Sequence, residues 1–395
     1  MCYIFPPMRQ PKNRKLRLLA HLDVRHAASR EMVGGILRYA AGHPEWEVQF
    51  WGGHPSNEPF EYYCDWRPDA LVTDGVCHLY ARDEFAALAG RAVVFVNTAP
   101  RQGLRRPRAV LTTDERLLAV AAAELFVRKG LSHFAYVGTP GTERWNEARK
   151  RLFKAALGER GYALSVFREP AATGWRQQEE ALAAWIRELP KPCGVWAAYD
   201  QRAKHVLDAC HLAGVTVPDQ VQILGVDNES YICEQTGPSL SSLAPDFEGG
   251  GFKAAEFVDN ALAGRLTERN TTFKFGLKGV VERLSTSDTN GTARRVAAAH
   301  EFIRRHAPSG IGVTDVAASL GVSPRLLEKN YRAVTGRTVI EDLQTERLAR
   351  VKEMLRKTTT PIDSIGPFCG FKSLSHLKTL FKRTFGMSMS EFRRG

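Results

Sequence analysis

The sequence predicts an α/β body of two parallel-sheet lobes, followed by an all-α domain holding two helix-turn-helix motifs. Three observations carry that reading. Short apolar runs of four to seven residues alternate with longer amphipathic stretches from residue 16 to about 225, the pattern of strands joined by helical crossovers into parallel sheet. That is too much chain for one small sheet, and two similar lobes with a cleft between them are the economical arrangement. The last quarter reads as helix throughout, with Gly321 and Gly370 at sharp turns that call for a positive φ. Residues 291–395 also hold 19 Lys and Arg against 9 Asp and Glu, a net +10 of the chain's +12. A near-neutral body carrying a cationic module fits binding to a polyanion.

In chain order, residues 1–15 form a basic, proline-containing tail expected to be disordered. Strands are predicted at 16–22, 48–51, 70–73, 93–96, 110–112, 134–137, 163–167, 194–198 and 221–225. Helices are predicted at 27–41, 83–88, 114–129, 143–158, 175–189 and 201–213. Gly249, Gly250 and Gly251 precede a helix without a surrounding strand–G-x-G-x-x-G frame, so they read as close helix packing and not as a nucleotide loop. The polar stretch LSTSDTNGT has linker composition. The domains are therefore drawn at 16–285 and 295–395, with a linker over 286–294.

Ligands of parallel sheets sit beyond the carboxyl ends of strands. Asp23, Arg25 and Arg30 follow the first strand; Asp200 and Arg202 follow 194–198; Asp227 and Asn228 follow 221–225. Trp145 and Arg149 stand near the start of a helix in the second lobe. Carboxylates and guanidinium groups together suit a polyhydroxyl ligand, whose hydroxyls donate to the former and accept from the latter. Each has a plainer alternative. Asp200, like Asp114, could be only a helix N-cap; Trp145 could be packing; Arg149, beside Lys150 and Arg151, could be solvated surface. Asp227 is the strongest candidate, since Gly225 and its loop permit close approach.

In the tail, 313–320 and 323–332 make one helix-turn-helix, with Ser323-Pro324 as its cap and first-turn signal. Leu326, Leu327 and Tyr331 are expected inside, turning Arg325, Glu328, Lys329 and Arg332 outward. After a helix over 339–356, 361–368 and 373–384 make a second motif. Ile362, Ile365, Phe371, Leu377, Leu380 and Phe381 supply its core, and Lys372, Ser373, Ser375, His376, Lys378, Thr379 and Lys382 lie on its outer side. The centres of the two outer helices, at 328 and 376, are 48 residues apart. Two such units on a rigid connector suit successive major-groove segments of a duplex.

Seven scattered cysteines without C-x-x-C or Cys/His spacing argue against zinc and against a disulfide framework. No metal or cofactor is expected. No signal-peptide or bilayer-spanning run occurs, which points to the cytoplasm and away from membranes. No Walker loop, G-x-S-x-G or catalytic Cys/His constellation is present, so an enzyme is not expected. Two rival classes are a sugar-transport protein, against which the cationic tail counts, and an α/β enzyme using paired carboxylates on a sugar.

The segments VTDVAASLGVSPRLLEKNYRAVTG and IDSIGPFCGFKSLSHLKTLFKRTFGMSMSEFRR resemble the two halves of the AraC-type DNA-binding domain. AVLTTDERLLAVAAAELFVRKGLSHFAYVG, GVWAAYDQRAKHVLDACHLAGVTVPDQVQILGVDNES and PSLSSLAPDFEGGGFKAAEFV resemble the LacI/periplasmic-binding-protein sensor fold. The order, sensor before reader, together with RLLAHLDVRHAASREMVGGILRYA, RWNEARKRLF and ILGVDNE, is similar to the xylose operon regulator family. That resemblance implies a pentose effector, D-xylose first among them. It places Asp200, Asp227 and Arg149 at sugar-touching positions and Asp23 and Arg30 on the rim. It also implies double-stranded operator DNA and a homodimer, with RNA polymerase as a further candidate partner. Pro367 falls where the family's scaffold helix usually continues, so that helix is expected to be short or kinked.

Overall fold

The computed structural model describes residues 15–51, 60–75, 82–100, 106–139, 144–170, 174–266, 268, 270–287 and 291–394. The expected disordered tail therefore lies almost wholly outside the described residues. The chain divides into two compact units, Met1–Glu282 and Arg283–Gly395.

The first unit begins with β1 (Leu16–His21), α1 (Ala27–Ala40), β2 (Trp46–Trp51), α2 (Phe60–Trp66), β3 (Ala70–Thr73), α3 (Arg82–Leu88), β4 (Ala92–Val96) and β5 (Arg108–Thr113). The chain then crosses into a second lobe of α4 (Glu115–Arg128), β6 (His133–Val137), α5 (Arg144–Gly158), β7 (Leu164–Val166), α6 (Trp175–Glu188), β8 (Cys193–Ala197), α7 (Asp200–Ala213), β9 (Val221–Val226), α8 (Ser230–Cys233) and β10 (Ser241–Pro245). It returns to the first lobe as α9 (Phe247–Leu262) and β11 (Asn270–Phe275), and goes back to the second as β12 (Leu277–Val281). The first sheet has the order β11-β5-β4-β3-β1-β2 and is parallel throughout. The second runs β12-β10-β9-β8-β6-β7, with only β12 antiparallel. Strands ALVT, AVVFV, CGVWA and VQILGV are buried at every position, because helices cover both faces of a parallel sheet.

The α/β alternation predicted up to residue 225 is present. The strands β10, β11 and β12 were not predicted, because Ser241, Ser242, Thr271 and Thr272 interrupt their apolar pattern. These late elements make two of the three crossings between lobes, the first of the three being β5 to α4. Each crossing is a short peptide: Asp114 N–H donates to Phe275 O at 3.1 Å and Asp246 N–H to Gly276 O at 2.9 Å.

Gly249, Gly250 and Gly251 lie inside the first turns of α9, which packs closely on α1. A Cβ on Gly251 would sit 1.9 Å from Met32 O, and one on Gly35 would sit 1.9 Å from Glu248 O.

The second unit is helical: α10 (Gly291–His306), α11 (Val313–Ser319), α12 (Pro324–Thr335), α13 (Val339–Lys357), α14 (Ile362–Phe368), α15 (Leu374–Phe385) and α16 (Met389–Arg394). Helix α10 starts at Gly291, inside the stretch expected to be linker, and 288–290 lie outside the described residues. Pro367 sits in the last turn of α14, whose seven residues match the seven of α11. The shortness of α14 is thus a property of the motif and not of its proline.

Alanine is the better helix former, worth about 1 kcal/mol over glycine. At Gly251 the backbone contact outweighs this, since overpacking costs about 1–3 kcal/mol. Gly251→Ala is therefore expected to lower the denaturant midpoint of unfolding, whereas the same change at Gly158, which has nothing within 4 Å, should not.

Candidate functional site

Strand ends of both lobes converge on a cleft of about 220 Å³. Its first-lobe wall is His26, Ser29 and Met32 of the α1 entry, Asp74 after β3, Asn97 after β4, and Phe247. Its second-lobe wall is Asp227 and Glu229, after β9. Polar groups of both lobes thus face one space above an apolar floor, the usual make-up of a small-ligand site.

Asp227 and Asn228 have φ of +99° and +52°, a backbone region costly for residues with a Cβ. Among the described residues no donor reaches the Asp227 carboxylate. Burial pushes its pKa up to about 6, against the opposing pull of Arg149. Asp200 is 2% exposed and does not face the cleft. Its oxygens accept from Ser242 Oγ at 2.6 Å and from Glu229 N–H at 2.7 Å, so it holds the loop that presents Asp227. Asp200 occupies the first helical position of α7, and the cap position belongs to Tyr199; Asp114 does cap α4, accepting from Arg116 N–H at 3.1 Å. Burial and then the charge of Asp227 push Asp200 up to about 7.

Arg149 is 5% exposed, so it is not solvated surface. It donates to both oxygens of Glu115, at 2.6 and 3.1 Å, and to Ala198 O. Its guanidinium faces the rings of Trp145 at 4.9 Å and Trp196 at 5.8 Å. Trp145 is accordingly a packing partner of Arg149. Arg30 donates to Val24 O and Arg25 O and reaches Glu229 across the cleft at 3.5 Å. Asp23 is held by Arg25 at 2.6 and 2.8 Å, which keeps its carboxyl below the usual range. Its N–H donates to Asp74.

Sequence reasoning missed Asp74, Asn97, Glu229 and Glu115. The strand-end rule would have found Asp74 and Asn97 had it been applied to β3 and β4. No spacing pattern links Glu115 to Arg149.

In the helical unit, Ser323 and Ser373 are N-caps of α12 and α15, accepting from Leu326 N–H and His376 N–H at 3.2 and 3.3 Å. Arg325, Lys329 and Arg332 are exposed on α12, and Glu328 is half-buried. Lys372, Ser375, His376, Lys378, Thr379 and Lys382 are exposed on or before α15. Lys378 pairs with Asp363 at 3.0 Å. Among the described residues Arg325, Lys329 and Lys372 pair with no carboxylate, which suits contact with phosphate, while Arg332 and Lys382 stand close enough to Glu341 and Glu391 to help hold those carboxyls low. Leu326 corrects the sequence expectation: it is 41% exposed, while Leu327 and Tyr331 are buried. Behind this face Tyr331 donates to the buried carboxylate of Asp342 at 2.6 Å, which also pairs with Arg337 at 2.8 Å.

Two family models match: a periplasmic binding protein-like domain over residues 123–286 and a helix-turn-helix domain over 316–395. The xylose operon regulatory protein of Escherichia coli K12 is 27% identical over 390 residues, 97% of each chain. That of Haemophilus influenzae is 29% identical over 72% of this chain and 74% of its own. The solved structure of the xylose-binding transcription activator XylR superposes with a TM-score of 0.58 at 25% identity, covering 96% of this chain and 98% of that one. Similarity to the xylose operon regulatory protein thus extends over 97% of the chain, through both the sensor and the helical unit.

The carboxyls of Asp227, in the cleft, and Asp200, behind its loop, both have folded pKa values above the ordinary 3.8. The folded sensor thus binds protons more tightly than the unfolded chain. The resulting stability is fully present below about pH 4 and is lost as pH rises through 6 and 7. Melting of the sensor should therefore occur at lower temperature at pH 8 than at pH 5.5. Asp227→Asn should flatten that slope, by removing one group and the charge that raises the other.

Proposed function

We propose that this protein is a sugar-responsive transcription regulator that takes a pentose, D-xylose first, between the lobes of its sensor. It would bind operator DNA through α12 and α15. The observation that carries this reading is the combination, in one chain, of the Asp227 cleft with two helix-turn-helix motifs whose outer helices expose Arg325, Lys329, Lys372 and Lys382. The full-length similarity to xylose operon regulatory proteins supports it. No helix among the described residues is long and apolar enough to cross a membrane, and a cytoplasmic homodimer that contacts RNA polymerase is part of the proposal.

In the sensor, Asp227 accepts from sugar hydroxyls, Arg149 donates from the inner wall, and Asp23 and Arg30 stand at the rim. Asp200 acts through the loop it holds, by positioning Asp227. The sugar alters DNA binding only if it prefers one arrangement of the protein over another. In the reader, phosphate contacts from Arg325, Lys329, Arg332, Lys372 and Lys382 supply most of the affinity. Side chains such as Ser375, His376 and Thr379 address base edges.

Titration calorimetry with a pentose panel tests the sensor. D-xylose should give heat, and heat from no pentose removes the reading. Asp227→Ala should weaken binding on the order of a hundredfold, the equivalent of two charge-assisted hydrogen bonds at about 1.5 kcal/mol each. The affinity should fall about tenfold from pH 7 to pH 5, as Asp227, with its pKa near 6, takes up a proton.

Gel shifts test the reader. Duplex binding should weaken steeply with salt, and Lys329→Ala should reduce the slope of log K against log salt by about 1. Salt-insensitive binding, or none, removes the regulator reading.

A further inference from the structure

The helical unit has two separate apolar clusters. Val316, Leu327, Tyr331, Val339 and Leu343 belong to the first, and Leu348, Val351, Ile365, Leu377 and Phe381 to the second. Helix α13 runs through both, and Arg347 stands between Leu343 and Leu348, where the helix passes from one cluster to the other. Arg347 is 9% exposed, and no carboxylate among the described residues pairs with it. Its Nε donates to Ala307 O at 2.9 Å and its Nη2 donates to Ile311 O. Both carbonyls belong to the turn between α10 and α11, the entry to the first motif.

From the second motif, Gly370 packs onto the same turn. Its φ is +79°, and a Cβ there would lie 2.3 Å from Ala307 O and 2.9 Å from Gly310 N and Arg347 Nε. The ring of Phe371, the next residue, lies 6.0 Å from the guanidinium. The entry turn of one motif, the central turn of the other and the connecting helix therefore meet at one guanidinium. A buried cation without an acid is tolerated only where its donors are satisfied. Here two carbonyls take the Nε and one Nη2 donor, and a planar fork reaches both where an ammonium could not. Two small cores strung on a helix could otherwise flex against each other, and this contact removes that freedom.

We propose that Arg347, seated against Gly370, is a positioning residue that fixes the helical phase between α12 and α15. It would thereby fix the half-site spacing that the protein accepts. The proposal rests on the DNA reading above and adds a spacing rule to it. Each base pair inserted between half-sites turns one groove by about 34° relative to the other. A locked pair of reading helices cannot follow that rotation, and a hinged pair can.

The test uses the full chain and a duplex that the wild-type protein selects from a random pool. The same duplex with one or two base pairs inserted, and each half-site alone, complete the set. For the wild type, insertion should cost about tenfold or more in affinity. Arg347→Met should lose about tenfold on the uninterrupted duplex, with the insertion penalty falling below about threefold and half-site affinities unchanged. Arg347→Lys should move the same way by less, and it decides the matter if the Met variant does not melt cooperatively. A folded variant of either kind that keeps the wild-type penalty overturns the proposal, as does a wild type indifferent to insertion. A wild type that selects no duplex overturns the DNA reading, and the spacing rule with it.

Discussion

The guanidinium of Arg149 sits near two indole rings, with both oxygens of Glu115 on one edge and Ala198 O on another, and its charge acts on Asp227 in the sensor cleft. Burial pushes the carboxyls of Asp200 and Asp227 in the same lobe upward. One buried cation, held in place by Glu115, lets Asp227 keep a pKa near 6 and so remain available to accept hydrogen bonds at neutral pH. The geometry around Asp227 carries its own cost, about 1–3 kcal/mol for a residue at φ of +99°. Asp200 offsets it by tying the loop to Ser242 and to the Glu229 backbone. Strain and charge are thus both concentrated where a ligand would be met.

The helical unit achieves its effect by repetition. Ser323, Gly336 and Glu341 recur as Ser373, Gly386 and Glu391, an offset of 50 residues. The functions recur with them. Each Ser caps a reading helix, each Gly ends it at φ of +72° or +73°, and Thr338–Glu341 and Ser388–Glu391 close the same reciprocal cap on the following helix. The two faces differ in chemistry. Helix α12 offers Arg325, Leu326 and Lys329 where α15 offers Ser375, His376 and Thr379. One copy is strongly cationic with an exposed apolar side chain, and the other is polar and nearly uncharged at its first turn. Repetition supplies matched geometry, while divergence within the repeat gives the two helices different exposed surfaces.

Much of this is legible in the amino-acid sequence. The period of the apolar pattern, the glycines at 321 and 370, the Ser-Pro at 323 and the location of the excess charge follow from local rules that hold wherever a segment ends up. Asp227 was legible too, because a strand end followed by a permissive loop is a local feature. Leu326 was misjudged because a short helix end leaves one of its apolar positions uncovered, and only the neighbouring elements determine which. Trp145 and Arg149 were placed on the right helix, yet that Arg149 is buried, and that Trp145 packs beside it, depends on Glu115 reaching it from α4.

What the sequence by itself determined about this protein is the kind of each element, the two-lobed body and the cationic pair of helical motifs, since periodicity and charge act over a few turns of chain. The tertiary structure alone decided that Asp74 and Asn97 share a cleft with Asp227 and Glu229. It also decided that β10, β11 and β12 stitch the lobes together, and that Arg347 meets Gly370 and Ala307. Each of these joins residues dozens to hundreds of positions apart. Such pairings are set by how the layers pack and the chain closes on itself, for which no run of neighbouring residues carries a signal.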